Sequence, residues 1–110
     1  MRIHIGESDR FGARPLYRAI VDCLRRGLAG ATATQCIAGF GATGAMHSGM
    51  SDISALDLPV VVECVDAEER LQAVLPELDG MIGGGLITLE RAAVILYREG
   101  AMRSAGADES

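Results

Sequence analysis

Two glycine clusters are the residues whose type and spacing most invite chemistry. Gly39-Phe40-Gly41 opens a glycine-rich run that reaches Asp52, and Gly83-Gly84-Gly85 precedes the last apolar segment. Where side chains are missing, successive backbone N–H groups can converge on an anion, phosphate above all, even without a lysine. The same glycines equally suit sharp turns, because glycine reaches backbone conformations closed to other residues. Arg98 and Arg103, beyond the last apolar segment, are the cations on which an anion site would draw. In the long run, His47 is the side chain placed to touch a ligand or a partner, with a solvent-exposed loop histidine as its plain alternative.

Other chemistries lack their parts. His4 and Glu7, three apart on an expected strand, point to opposite faces and cannot share a metal. Cys23, Cys36 and Cys64 sit in apolar segments with no C-x-x-C pair, which fits reduced core residues of a cytoplasmic protein. No nucleophile has an identifiable base and orienting partner, so the chain is not expected to be an enzyme. A net charge of -5, a pI near 4.9 and 4% aromatic residues oppose nucleic-acid binding, which needs phosphate attraction and stacking surfaces. All 10 basic residues are Arg, which excludes Schiff-base chemistry and a P-loop lysine. No apolar run approaches the roughly 18 residues that cross a bilayer, so no membrane insertion is expected.

The elements that must position these residues follow from periodicity. Arg2 to Glu7 alternates Ile3 and Ile5 with polar neighbours, a half-buried strand. Arg14 to Arg26 is a helix with Pro15 in its tolerant first turn, an apolar stripe of Leu16, Ala19, Ile20, Cys23 and Leu24, and Gly27 at its close. The arginines around it, Arg10, Arg14, Arg18, Arg25 and Arg26, make a basic region whose members are solvated helix faces or an anion site. Ala31 to Ala38 reads as a second strand, and Leu58 to Val65, β-branched throughout, as the third and most central one. Glu63 within it is expected to pair with an arginine or lie at a sheet edge.

Asp66 is the expected cap of a second helix, with Glu69 completing a capping box and Leu71, Val74, Leu75 and Leu78 on one face. Pro76 removes a helical hydrogen bond, so a kink or an early end is expected near Leu75. The last strand is expected to begin at Leu86 and to resume at Ala93. Residues 1–100 then make one domain, and 101–110 a flexible, polar C-terminal tail. Residues 42–54, with little apolar surface to anchor them, read as a mobile loop.

Strand, helix, strand, strand, helix, strand is a split βαβ, the ferredoxin-like α+β fold with a four-stranded antiparallel sheet and two helices on one face. The other face is expected to be apolar and covered by further copies of the chain. The fold hosts unrelated functions, and residues decide among them. The central strands lack the aromatics of an RNA-recognition module, the first loop lacks paired cysteines for a metal, and the chain has no Asn to orient the water of an acylphosphatase. An amino-acid-binding type of regulatory domain and a small enzyme with an unidentified site remain as alternatives.

Several spaced motifs, Ile3-His4-Ile5-Gly6-Glu7, Asp9-Arg10, Pro15-Leu16-Tyr17, Gly39-Phe40-Gly41, His47-Ser48, Asp57 to Glu63 and Gly85-Leu86-Ile87-Thr88, together resemble the PII-like domain-of-unknown-function 190 family. The resemblance spans roughly residues 2–97. It implies a PII-like homotrimer whose intersubunit clefts bind a small effector, an adenine nucleotide being the foremost candidate. By that likeness Gly39, Phe40 and Gly41 match the base of one cleft loop, and Gly83, Gly84 and Gly85 match the other. It also implies signalling to a partner protein, a membrane transporter among the candidates. PII proteins proper follow their glycine loop with an acidic residue and a lysine, where this chain has Leu86-Ile87-Thr88, and the long loop carries no Tyr for uridylylation.

Overall fold

A computed structural model describes residues 1–40 and 57–98. Its main sheet contains β1 (Arg2–Gly6), β4 (Thr32–Gln35), β5 (Pro59–Glu63) and β6 (Leu86–Thr88) in the order β4-β5-β1-β6, with every pair antiparallel. Helices α1 (Leu16–Gly27) and α2 (Glu68–Met81) connect the strands, giving the ferredoxin-like arrangement. A small ribbon, β2 (Arg10–Phe11) with β3 (Arg14–Pro15), turns the chain between β1 and α1 through Gly12 at φ +64°. Periodicity could not show this ribbon, since two residues per strand make no period.

The core follows from alternation. Ile3 and Ile5 of β1 sit beside Val62 and Val60 of β5 in register, and all four side chains are buried under the helices. The five α1 residues of the expected stripe, Leu16, Ala19, Ile20, Cys23 and Leu24, are all buried. From α2, Leu71 and Leu78 are buried and Val74 and Leu75 pack at the margin. A Cβ on Gly27 would stand 3.3 Å from Val74, so the absence of a side chain there lets α2 lie close on α1. Arg26 on α1 pairs with Glu77 on α2 across the exposed side of that contact.

Four expectations are corrected. Asp66 does not cap α2: the N-cap is Ala67, with no side-chain cap, and the Asp66 carboxylate accepts hydrogen bonds from the backbone N–H groups of Ala29 (3.0 Å) and Ala67 (2.8 Å). It ties the chain leaving α1 to the chain entering α2. Of the kink or early end expected near Leu75, the early end is not found: helix α2 runs to Met81 with Pro76 inside it. Pro76 is exposed, so water can hydrate the carbonyl it leaves unpaired, while fully buried Leu78 anchors the turn beyond it. The final strand stops at Thr88 and does not resume at Ala93, and the second strand is shorter than Ala31 to Ala38.

The open sheet face is also less apolar than expected. Arg2, His4, Thr34, Val61 and Glu63 line a shallow hollow on it, and Arg2 Nε donates to Glu63 Oε2 at 2.8 Å. Glu63 thus has its arginine, on a central strand rather than an edge. The pair is about half exposed, so it adds on the order of 1 kcal/mol or less. No helix among the described residues is long and apolar enough to cross a membrane.

Candidate functional site

Antiparallel pairing sends the ends of β1 and β4 and the starts of β5 and β6 to one end of the sheet. Gly39-Phe40, Asp57, the Gly6 to Asp9 turn and the Gly83 to Gly85 turn therefore all gather there. Local hydrogen bonds hold the middle of this rim. Ser8 donates to Asp57 Oδ1 from its hydroxyl (2.7 Å) and its backbone N–H (3.2 Å), and Gly6 N–H donates to Asp9 Oδ2 (2.9 Å). A Cβ on Gly6 would stand 2.8 Å from Asp57 Oδ1 and 3.4 Å from Asp9 Oδ1, so that glycine makes room for two carboxylates. Residue typing alone had not singled out Ser8 or Asp57 as a pair. They are 49 residues apart, and only the pairing of β1 with β5 brings them together.

At the β6 side lies an open groove of about 350 Å³. Gly83, Gly84 and Gly85 line it, Leu75, Ile82 and Ile87 are its apolar walls, and Asp79 is its ionisable group. The three glycines differ in kind. A Cβ on Gly83 or Gly84 would meet nothing within 4 Å, so both leave backbone open to the groove. A Cβ on Gly85 would stand 2.7 Å from the His4 carbonyl oxygen and 3.2 to 3.3 Å from Ile82 and Ile5. Gly85 thus serves the approach of β6 to β1, and Gly83 and Gly84 are free to serve a ligand.

The groove's field is negative. Helix α2 ends against it, with Ile82 N–H bonded to the Leu78 carbonyl at 3.0 Å, and the helix C-terminus carries about half a negative charge. Asp79 adds to this, and the last turn holds no basic residue. Backbone N–H groups at Gly83 and Gly84 can meet an anion here only if a cation arrives from outside the groove.

Of the sequence-predicted residues, Gly83, Gly84 and Gly85 come together in one site. Gly39 and Phe40 reach the same end of the sheet on the opposite edge, with β5 and β1 between, about 14 Å away at the usual strand spacing. Gly39, at φ +152°, would bring a Cβ within 3.2 Å of the Pro59 ring, and Phe40 is 86% exposed. Within one chain these two clusters do not line a common cleft. Arg98 lies on the segment that leaves β6 from the far end and does not line the groove. Gly41, His47, Arg103, the 42–54 loop and the 101–110 tail lie outside the described residues.

Two of the thiols are poor nucleophiles. Burial pushes the thiols of Cys23 and Cys64 above their usual range, and Glu77 adds to the rise at Cys23, so neither favours the nucleophilic thiolate. Among the described residues no three His, Cys, Asp or Glu side chains are placed to hold a metal ion.

Comparison with known proteins matches residues 1–94 to the family model DUF190, described as "Uncharacterized ACR". A UPF0166 protein of Methanocaldococcus jannaschii is 37% identical over 91 residues, covering 81% of this chain and 83% of that protein. A UPF0166 protein of Aquifex aeolicus is 38% identical over 96 residues, covering 86% of this chain and 90% of its own length.

Proposed function

Because the chain belongs to the DUF190 family, we propose that it is a PII-like regulatory protein that binds a small effector and has no catalytic role of its own. It works as a homotrimer in which the Gly83–Gly84 backbone of one copy faces the Gly39–Phe40 edge of the next. The foremost effector is an adenine nucleotide, and residues 42–54 relay its presence to a partner protein, a membrane transporter being one candidate. The observation that carries this reading is the open, side-chain-free backbone at Gly83 and Gly84 inside a groove with apolar walls. Phosphate would meet the backbone N–H groups, and a purine would lie on the apolar wall. The negative field of α2 and Asp79 calls for balancing positive charge from a neighbouring copy, whose Arg98 and Arg103 are the candidates.

That same field supports a second reading, an amino-acid-binding regulatory domain. A ligand ammonium group would be held by Asp79 and the α2 carbonyl end, with its carboxylate on the glycine N–H groups. Calorimetric titration with ATP, ADP, AMP, cyclic nucleotides and a panel of amino acids separates the two. A nucleotide site is expected to bind more tightly in Asp79→Asn, which removes a repelling charge, and an ammonium site more weakly. Gly84→Trp is expected to block either ligand while leaving the fold intact. Silence across the whole panel, or binding that survives Gly84→Trp, refutes the groove as the site.

A further inference from the structure

Half of the chain's 10 arginines, Arg10, Arg14, Arg18, Arg25 and Arg26, fall within residues 10–26 of a protein whose net charge is -5. The fold gathers them on one surface. The core-facing residues of α1 are Leu16, Ala19, Ile20, Cys23 and Leu24. At 3.6 residues per turn, Arg18 and Arg25 lie opposite that stripe, on the outermost line of the helix and about 10 Å apart. Arg14 of β3 reaches Asp22 on the exposed side of α1, which ties the small ribbon to the same face. Phe11 is paired with Arg14 across the ribbon, and directly paired residues share a face, so the ring stands beside that arginine.

Pairing within the chain leaves most of this charge unbalanced. Asp22 neutralises Arg14 and Glu77 neutralises Arg26. Among the described residues no carboxylate pairs with Arg10, Arg18 or Arg25. Arg10 donates to the Ala13 carbonyl at 2.7 Å, and the Arg18 guanidinium lies 5.9 Å from the centre of the Tyr17 ring. Three positive charges therefore remain beside an aromatic ring. Phe11 is 43% exposed and takes no part in the core, although the chain has only two phenylalanines. A Cβ on Gly12, at the turn between Phe11 and Arg14, would meet nothing within 4 Å, so the tip of the ribbon stands in open space.

We propose that this face, formed by Arg10, Phe11, Arg14, Arg18 and Arg25, rests on a lipid surface rich in anionic headgroups, with Phe11 in the headgroup layer and no segment spanning the bilayer. A field of lipid phosphates offers an acceptor at any spacing, which suits arginines set along a line on a projecting ribbon and helix flank. An aromatic ring among cations adds the apolar contact that interfacial segments use. The chain's excess of carboxylates does not cancel the attraction, because charges farther off than the Debye length of about 10 Å are screened. Each arginine brought to an anionic surface raises partitioning about fivefold, so the three unbalanced ones together give about 100-fold. The face shares no residue with the Gly83–Gly84 groove, and it stands whether or not an effector binds there.

Co-sedimentation of the full-length chain with phosphatidylcholine vesicles, and with vesicles in which about a quarter of the lipid is phosphatidylglycerol, tests the assignment. Binding is expected on the anionic vesicles alone and is expected to vanish at about 1 M salt, where the Debye length falls to about 3 Å. Arg18→Glu and Arg25→Glu each remove one positive charge and add one negative, so each should weaken partitioning about 25-fold. Arg91→Glu makes the same change of net charge on the exposed segment after β6 and should leave partitioning unaltered. Phe11→Ser should weaken it severalfold at constant net charge, and circular dichroism confirms that each variant is folded. Equal weakening by Arg91→Glu shows that total charge governs and overturns the α1 face. Unchanged binding of Phe11→Ser overturns the place of the ring in the headgroup layer. Failure to sediment with either vesicle, or equal binding to both, overturns the proposal. Retention on polyglutamate in place of vesicles, lost in Arg18→Glu and Arg25→Glu, identifies an acidic protein as the occupant and overturns the lipid surface.

Discussion

Replacing Gly85 by alanine should destabilise the fold, although Gly85 stands in a row of three glycines that look interchangeable in the sequence. The new Cβ would stand 2.7 Å from the His4 carbonyl oxygen, closer than such contacts are tolerated, with Ile82 and Ile5 at 3.2 and 3.3 Å behind it. The φ of +158° at this residue is one that side-chain-bearing residues rarely adopt. One of two things must then yield. β1 cannot, since Ile3 and Ile5 anchor it in the core between β5 and β6. β6 is an edge strand of three residues and can lift away, giving up backbone hydrogen bonds worth about 1 kcal/mol each. Strain and overpacking of this kind each cost about 1 to 3 kcal/mol, so the cheaper escape leaves a loss of about 2 to 3 kcal/mol. For a domain of this size that lowers Tm by about 8 to 12 °C. Gly84→Ala is the internal control: its Cβ meets nothing within 4 Å, so its stability should change by no more than about 0.5 kcal/mol. Thermal melts followed by circular dichroism read both variants side by side. Equal melting temperatures for Gly85→Ala, Gly84→Ala and wild type would refute the division of the turn into a structural and a ligand-facing half.

Pro76→Ala should stabilise the protein, because it restores a bond to the Gln72 carbonyl on the exposed face of α2 at some gain in unfolded-chain entropy. A rise of about 1 to 2 kcal/mol in urea unfolding is expected, and a fall would show that the helix is shaped around the proline. Stability should also carry an acid signature at Asp66, whose carboxyl is held below its ordinary 3.8 by the backbone N–H groups of Ala29 and then Ala67. A carboxyl depressed on folding stabilises above its unfolded pKa, and that contribution disappears as pH falls through the folded value. Unfolding compared at pH 6 and pH 3 should therefore show a smaller drop for Asp66→Asn than for wild type, and equal drops would remove the assigned role.

The strands and helices were legible in the sequence wherever burial imposes a period. Ile3 and Ile5 alternate because one face of β1 meets the core, and Leu16, Ala19, Ile20, Cys23 and Leu24 repeat at helical spacing because one face of α1 does. The split βαβ order followed from those elements alone. Local chemistry misled where a distant partner outbid a near one. Asp66 sits where a cap belongs, yet its carboxylate also holds Ala29, 37 residues away. Pro76 predicts a kink or an early end, yet α2 runs on to Met81, because Leu78 beyond the proline is fully buried and tertiary packing outweighs one missing hydrogen bond.

The glycine clusters were visible as candidates, but their roles were not. Gly83, Gly84 and Gly85 have the same residue type, and only the approach of β6 to β1 sets Gly85 apart. The negative field around them belongs to the end of α2 and to Asp79, which the fold, not the spacing of glycines, sets beside the turn. The separation of Gly39 from Gly83 by two strands is likewise a matter of sheet order. Periodicity reports which side of an element is buried, because burial is repeated along the element. What stands across from a given residue depends on pairing between distant segments, and that is decided only when the chain has folded.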